Sequence, residues 1–378
     1  MGDEDPNDTE VLDEEPRSIL LGLISQLRKG MDLHRVTLPT FVLEPRSMLE
    51  RITDFMSHPE LILSVAKQED PVIRFVSVVR YYLSGWHIKP KGVKKPYNPV
   101  LGEHFRAKWV FPDKTEAFFV SEQVSHHPPI SAYYYASPEN NLIISGDIRP
   151  KSKFLGNSAA TLMQGESKIY FTNRSGEVYR ISMPNVYARG ILFGRMVMEL
   201  GDNSTVKCGK NDLTCELEFR TKGFFSGAYN SIYGKIKRES TGEVLYEITG
   251  KWSEIIYIKD IQEVRRFCSM YMIQRYTLRL LWSKVTSALI GRNLDLATDE
   301  KTLIEDNQRN EAKLREIEGI DWRSRYFVNE NNEFNFKQIH NLSKDPQTTK
   351  RQIEAFIFST HSPPGFHSPI GPHHNQDE

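Results

Sequence analysis

The chain has 378 residues, 39% of them hydrophobic and 26% charged, as in an ordinary globular protein of one large or two smaller domains. Lys plus Arg and Asp plus Glu both number 49, which argues against a nucleic-acid binder that works by bulk positive charge. Three cysteines, Cys208, Cys215 and Cys268, are too few and too irregularly spaced for a disulfide framework or a CxxC metal site, and no apolar run approaches the ~20 residues that span a bilayer.

Charge is unevenly placed. Residues 1–16 hold eight acids and no Lys or Arg, leaving 49 basic against 41 acidic side chains, a net +8, in the rest. The spacing predicts a disordered acidic tail, without the basic n-region of a signal peptide, on a basic cytosolic body. Over residues 17–29, Ile19, Leu20, Leu23, Ile24 and Leu27 recur at helical spacing, the pattern of a short amphipathic helix. Pro39 and Pro45 make the next stretch extended. Ser47 followed by Glu50 is a capping-box pattern that starts a helix near Met48, and a longer helix is expected from Pro71 to Trp86.

After Asn98 the period changes to two. Successive runs from HFRAKWVF through EAFFVSEQV and ISAYYYA to IIYIKD are rich in β-branched and aromatic residues, with turn formers between them. So many strands without intervening helices predict an antiparallel meander that closes into a barrel, and more than eight strands leave room for a ligand. Helical patterning returns from about Glu263 to Glu318, with Thr298 expected to cap a helix beginning near Asp299. Residues 262–281 carry aromatic and apolar content odd for an exposed loop, and an extra membrane-facing or partner-facing helix is one reading of them. Pro363, Pro364, Pro369 and Pro372 mark an irregular end.

Three groups carry candidate chemistry. In Glu122-Gln123-Val124-Ser125-His126-His127-Pro128-Pro129, two prolines stiffen the backbone behind adjacent imidazoles. The pair can serve as metal ligands, as an acid and base, as anion donors, or simply as hydrogen-bonded strand-end residues. No Cys/His cluster supplies further metal ligands and no G-x-S-x-G supplies a nucleophile, which leaves a hydrolase using His126 or His127 as base without its partner. The run from Lys89 to Pro99 packs four lysines into seven residues; it is a solvated basic loop unless Lys95 and Asn98 point at a phosphate. Lys301, Glu305 and Arg309 share one helix face, where as a surface ladder each pair contributes only ~0.2–0.5 kcal/mol.

These groups occur together in one family. EQVSHHPP, with KKPYNPVLGE before it and PKSKFLGNS after it, resembles the oxysterol-binding-protein-related lipid-transfer proteins over roughly residues 17–318. LRKGMDLHRVTLPTFVLEPRSMLERITDFM and PNVYARGILFGRMVMELGD look most like the short fungal members that exchange phosphatidylserine for phosphatidylinositol 4-phosphate. The resemblance implies an α+β, mainly β fold: a large incomplete antiparallel β-barrel enclosing a lipid tunnel, with an N-terminal lid and flanking helices. Its parts would be the tail 1–16, the lid 17–37 and a lipid-binding domain 38–318, with helices 45–86, barrel 100–260 and C-terminal helices 262–318. A partly irregular extension, 319–378, would follow.

By the same resemblance, His126 and His127 donate to the inositol 4-phosphate with Lys95, Asn98, Lys151, Lys301, Glu305 and Arg309. Phosphatidylserine matches Thr40, Lys95, Asn98 and Ser152 at its headgroup and Leu38 along a chain, and Ile19, Leu20, Leu23, Ile24 and Leu27 form the lid. Lys95 and Asn98 serve both lipids, so the two compete, and competition is the basis of exchange. No metal, cofactor or covalent step is implied. A monomer is expected, with membrane lipids and, transiently, anionic membrane surfaces as partners and no nucleic acid, peripheral at endoplasmic reticulum–plasma membrane contacts. A sterol and phosphatidylinositol 4-phosphate exchanger, or a sterol sensor of the same fold, is the alternative, because EQVSHHPP reports only the phosphoinositide half. Either cargo needs near-complete enclosure: at ~0.8 kcal/mol per exposed methylene, a two-chain lipid with roughly thirty of them costs on the order of 20 kcal/mol to carry bare.

Overall fold

The computed structural model describes residues 9–10, 28–31, 39–89, 93–191, 196–222, 228–260, 264–265, 274–277 and 281–359. Of the expected lid, residues 17–27, with Ile19, Leu20, Leu23, Ile24 and Leu27, and 32–37 lie outside the described residues, as do Leu38 and most of 262–281.

Sixteen strands form one sheet. Antiparallel pairing runs in sequence order through His104–Val110, Glu116–His126, Pro129–Ser137 and Leu142–Phe154. It resumes from Met196–Cys208 through Leu213–Arg220, Ser231–Arg238, Val244–Lys251 and Ile256–Asp260 to Val264–Arg265. Between these halves the sheet forks. Leu142–Gly146 pairs with Ser167–Phe171, whereas Arg149–Phe154 turns away to pair with Ser158–Gln164. One branch continues through Val178–Ile181, the other through Asn185–Arg189, and both rejoin on Met196–Cys208. Glycine permits the fork: a Cβ on Gly146 would sit 2.2 Å from the Glu166 carbonyl, and one on Gly165, at φ +106°, would sit 2.3 Å from that of Asp147.

The far edge of the sheet is Gln274–Thr277, paired with His104–Val110. Residues 262–281, expected to open the C-terminal helices, thus contribute the two edge strands Val264–Arg265 and Gln274–Thr277 instead. Nine residue steps join these edges, a reach of about 30 Å, so the sheet must curl back on itself. Among the described residues the edges do not pair, and the barrel is incomplete.

Among the described residues, four α-helices longer than the short turn Met48–Arg51 accompany the barrel. Helix α1 (Pro71–Ser84) begins where Asp70 accepts the Val72 and Ile73 amides, with Pro71 at its first position. Its Phe75, Val78, Val79 and Tyr82 belong to the main core with Ile181, Val206, Leu217 and Ile236, so this helix plugs part of the lumen. Helix α2 (Ser283–Ile290) and helix α3 (Leu294–Glu318) pack beside the Lys95–Val100 segment, burying Tyr97, Val100, Trp282, Val285 and Ile304. Helix α3 starts five residues before the expected Asp299. Asn293 caps it, accepting the Leu296 amide at 3.1 Å, while Thr298 donates inside the helix to the Leu294 carbonyl at 2.8 Å. The turn Met48–Arg51 begins at the expected place, but Ser47 Oγ donates to Glu103 at 2.5 Å rather than capping it.

Residues 322–358 cover the outside of the sheet. Strand Glu116–His126 puts Ala117 and Phe119 into the lumen core and Phe118, Val120 and Val124 outward. The outward set packs against Tyr326 and Phe327, Phe336 of the hairpin Phe327–Glu330/Glu333–Phe336, and Ile353 and Ile357 of helix α4 (Pro346–Phe358). Lys350 reinforces the contact, 2.7 Å from Glu116.

Candidate functional site

A cavity of 310 Å³ lies within the barrel, a size in the range of small-molecule sites. The period of two builds its wall. Along Leu142–Phe154, Ile148, Pro150, Ser152 and Phe154 line the cavity, while Lys151 and Lys153 are exposed on the other side. The second branch of the fork adds small or soft side chains: Ala159, Thr161 and Met163, then Val186 and Ala188. Met183, Met196 and Met198 complete this side, and such polarizable, flexible groups adapt to more than one apolar shape.

Lys95 and Asn98 stand on the cavity wall beside the histidine motif. The strand Lys95–Tyr97 pairs parallel with Leu43–Ser47, and Tyr97 stacks on Trp282 with centroids 4.6 Å apart. Behind it the buried Glu103 carboxylate accepts from Ser47 Oγ, from Trp282 Nε1 at 2.9 Å and from the Val100 amide at 3.0 Å. Burial pushes the Glu103 pKa up, and these three donors act against the shift. One carboxylate thus ties the helical pair to the segment that presents Lys95 and Asn98.

His126 is half-buried, with its Nε2 3.3 Å from Asn98 Nδ2 and its Nδ1 3.0 Å from Nδ1 of the exposed His127. Gln308 of α3 approaches the same ring, its Nε2 3.1 Å from Nδ1 and 3.2 Å from Nε2. The sheet carries a register shift between Gln123 and Ser125, and Ser125 Oγ donates to the Pro128 carbonyl at 2.7 Å, fixing the turn that aims both imidazoles.

On α3 the expected ladder is present. Lys301 Nζ lies 2.7 Å from Glu305, and Arg309 is 3.7 Å from Glu305 and paired with Asp306. Burial lowers the Lys95 pKa, Lys301 lowers it further, and Glu305 opposes both. Two cations and a carboxylate therefore share one field, beside the histidines that Gln308 ties to the same helix. Among the described residues no group of three or more His, Cys, Asp or Glu side chains is placed to hold a metal ion.

The structure brings Asn98, His126 and His127 into direct contact, and Lys95 within the electrostatic reach of Lys301 and Glu305. Ser152 lines the cavity, 3.1 Å from Thr161 Oγ1. Thr40 is buried against the start of α3, its Oγ1 3.1 Å from that of Thr298. Lys151, exposed, is not among the cavity-lining residues. Sequence reasoning missed Gln308, whose only signal is its place beside Arg309, and it missed Arg51 and Asp54, which line the cavity from the turn after Ser47.

The sequence profile of the oxysterol-binding protein family matches residues 22–289. An oxysterol-binding protein homolog of Schizosaccharomyces pombe is 50% identical over 346 residues, spanning 85% of this chain and 72% of the relative. Oxysterol-binding protein homolog 7 of Saccharomyces cerevisiae is 47% identical over 333 residues, 82% of this chain and 76% of that one. The fold is similar to that of the Osh1 ORD domain in complex with cholesterol, at TM-score 0.71 and 23% identity over 92% of this chain and 93% of that one. It is also similar to that of the Osh3 ORD from Saccharomyces cerevisiae in complex with PI(4)P, at TM-score 0.66 and 20% identity over 90% and 93%.

Proposed function

The chain belongs to the oxysterol-binding protein family, and from that premise we propose that it carries lipid between membranes, exchanging phosphatidylserine for phosphatidylinositol 4-phosphate in one cavity. The observation that carries this reading is the double placement of Asn98, on the cavity wall and 3.3 Å from His126. A lipid whose chains fill the apolar cavity leaves its headgroup at that junction, where Lys95, Asn98, His126, His127, Lys301 and Arg309 can each donate. A polyanionic phosphate taken out of water needs several charge-assisted hydrogen bonds, which accounts for the clustering. Glu305 keeps Lys301 and Arg309 extended towards it and takes an inositol hydroxyl.

Lys95 and Asn98 meet either headgroup, so the lipids exclude one another. The cycle makes and breaks no covalent bond, and its direction comes from a phosphoinositide gradient that other enzymes maintain. Residues 17–37 serve as the lid, and the protein works as a peripheral cytoplasmic carrier at endoplasmic reticulum–plasma membrane contacts.

Extraction of each lipid from mixed liposomes tests the reading, with native mass spectrometry of the carried lipid. His126→Ala with His127→Ala should abolish phosphatidylinositol 4-phosphate extraction and leave part of the phosphatidylserine extraction. Equal loss of both would overturn the headgroup assignment, and ergosterol in place of phosphatidylserine would make the protein a sterol exchanger.

A further inference from the structure

Arg51 is a cationic side chain among the residues that line a largely apolar cavity, outside the cluster around His126. It ends the turn Met48–Arg51, and Met48, Ile52 and Phe55 line the same cavity. Behind it three charged side chains, Glu44, Arg46 and Asp54, are linked in series. Arg46 holds both oxygens of Asp54 through its terminal nitrogens, at 2.7 and 3.0 Å, and reaches Glu44 through Nε. Glu44 in turn accepts from Arg51 Nη1. The Arg46 fork is thereby filled and Asp54, which also lines the cavity, is compensated.

Arg51 differs from both. Among the described residues Glu44 is its one hydrogen-bond partner, so most of the donors of its guanidinium have no protein acceptor there. Its side chain is 20% exposed, against 4% for Glu44. Water can hydrate those donors while the cavity is free of lipid. A lipid that displaces the water must either replace the hydrogen bonds or leave a buried cation short of them, and the second is strongly unfavourable.

Lipids differ in what they offer. A glycerophospholipid carries phosphodiester and ester-carbonyl oxygens next to its chains, whereas a sterol carries a single hydroxyl on an otherwise apolar body. We propose that Arg51 is a specificity-determining residue: it takes the phosphodiester or ester-carbonyl oxygens of a bound glycerophospholipid and so disfavours sterols. The inference rests on the exchange reading above and assigns a residue to its selectivity. Glu44, held from behind by Arg46, keeps the guanidinium in place.

The experiment measures extraction of phosphatidylserine, phosphatidylinositol 4-phosphate and ergosterol from otherwise identical phosphatidylcholine vesicles by wild type, Arg51→Met, Arg51→Lys and Glu44→Gln. Arg51→Met removes the donors at similar length. It should lower extraction of both anionic lipids about tenfold, the scale of one charge-assisted hydrogen bond, with ergosterol extraction unchanged or raised. Arg51→Lys retains the Glu44 pair, and hence the fold, and should show a smaller change of the same sign. Glu44→Gln keeps one acceptor oxygen and the whole guanidinium, and should stay closer to the wild-type ratio than Arg51→Met does.

An unmoved phospholipid-to-sterol ratio in folded Arg51→Met, or in Arg51→Lys should the first variant not fold, overturns the role. So does an equal change in Glu44→Gln, which would make Arg51 a prop for Glu44, or competition by free inorganic phosphate, which would make the site a loose ion site. A wild type that extracts ergosterol and neither anionic lipid overturns the exchange reading itself, a result distinct from a wild type that extracts them with the ratio unmoved in the variants.

Discussion

Gln308 bridges His126 and the segment following Asn98: its Nε2 lies 3.1 Å from His126 Nδ1 while its Oε1 accepts the Leu101 amide at 3.0 Å. Residues 182 positions apart in sequence are thus held by one amide, which at the same time ties α3 to the segment following Asn98. Gln308→Ala should remove one of the contacts that hold the imidazole and loosen the helix that carries Lys301 and Arg309. Losing two hydrogen bonds of about 1 kcal/mol each predicts a fall of roughly ten- to thirtyfold in phosphatidylinositol 4-phosphate extraction. Phosphatidylserine extraction, whose proposed headgroup contacts do not include His126, should fall far less. Paired liposome assays read the difference, and equal losses would make Gln308 a general packing residue.

Lys95 gives the site a pH dependence with a definite sign. Burial first, and the neighbouring Lys301 next, lower its pKa, with Glu305 opposing. Only the protonated amine pairs with a phosphate, so extraction of both anionic lipids should decline as pH rises through this lowered pKa, before an ordinary lysine would titrate. The lipid-free protein should respond oppositely. Its unfolded chain, with Lys95 at the usual 10.5, binds more protons in that window, so stability rises with pH there. Lys95→Arg, which stays charged, should flatten the alkaline fall in extraction.

Much of the barrel was legible because its strands advertise themselves with β-branched and aromatic residues, as in Phe118 to Val124 and Ile130 to Ala136. That same AFFV run also shows a limit: alternation is lost where a strand is buried on both faces, so nothing in it revealed a cover built from residues 322–358. Ser158–Gln164 and Asn185–Arg189 were not read as strands at all. Ser158, Ala159 and Ala160 have weak strand propensity, yet the small side chain of Ala159 leaves space in the cavity that it lines. Asn98, His126 and His127 could be singled out before the structure placed them side by side because EQVSHHPP and KKPYNP are short motifs. Arg51 and Gln308 acquire meaning only once the chain brings them to the cavity and to His126.

The C-terminal segment should prove integral to the fold. Glu122, the first residue of the histidine motif, is buried and accepts from Ser324 Oγ at 2.6 Å, the Arg325 amide at 2.7 Å and the Tyr326 amide at 2.8 Å. Glu122→Ala strands two buried amides at about 1–3 kcal/mol each, so a loss of about 2–6 kcal/mol is expected in chemical denaturation. Glu122→Gln keeps one acceptor oxygen and should lose less. Truncation after Gly319 would uncover Phe118, Val120 and Tyr134 and should give aggregated protein, where a dispensable tail would leave a soluble monomer.

Lys151 and Ser152 are adjacent and point to opposite sides of the sheet. Ser152 is 8% exposed, lines the cavity and shares a hydrogen bond with Thr161, whereas Lys151 is exposed on the outer surface. Family resemblance groups both with the headgroup residues, but the period of two separates them. Lys151→Ala should therefore keep phosphatidylinositol 4-phosphate extraction within about twofold, since an exposed cation contributes about 0–1 kcal/mol. Its effect should appear instead as weaker, salt-sensitive association with anionic vesicles. Ser152→Ala removes a hydroxyl from the cavity and leaves Thr161 without its partner, so a several-fold fall in phosphatidylserine extraction is expected at unchanged vesicle association. Should Lys151→Ala abolish extraction while Ser152→Ala leaves it intact, the headgroup would have to bind on the outer face, beyond reach of the wall that carries Lys95 and Asn98.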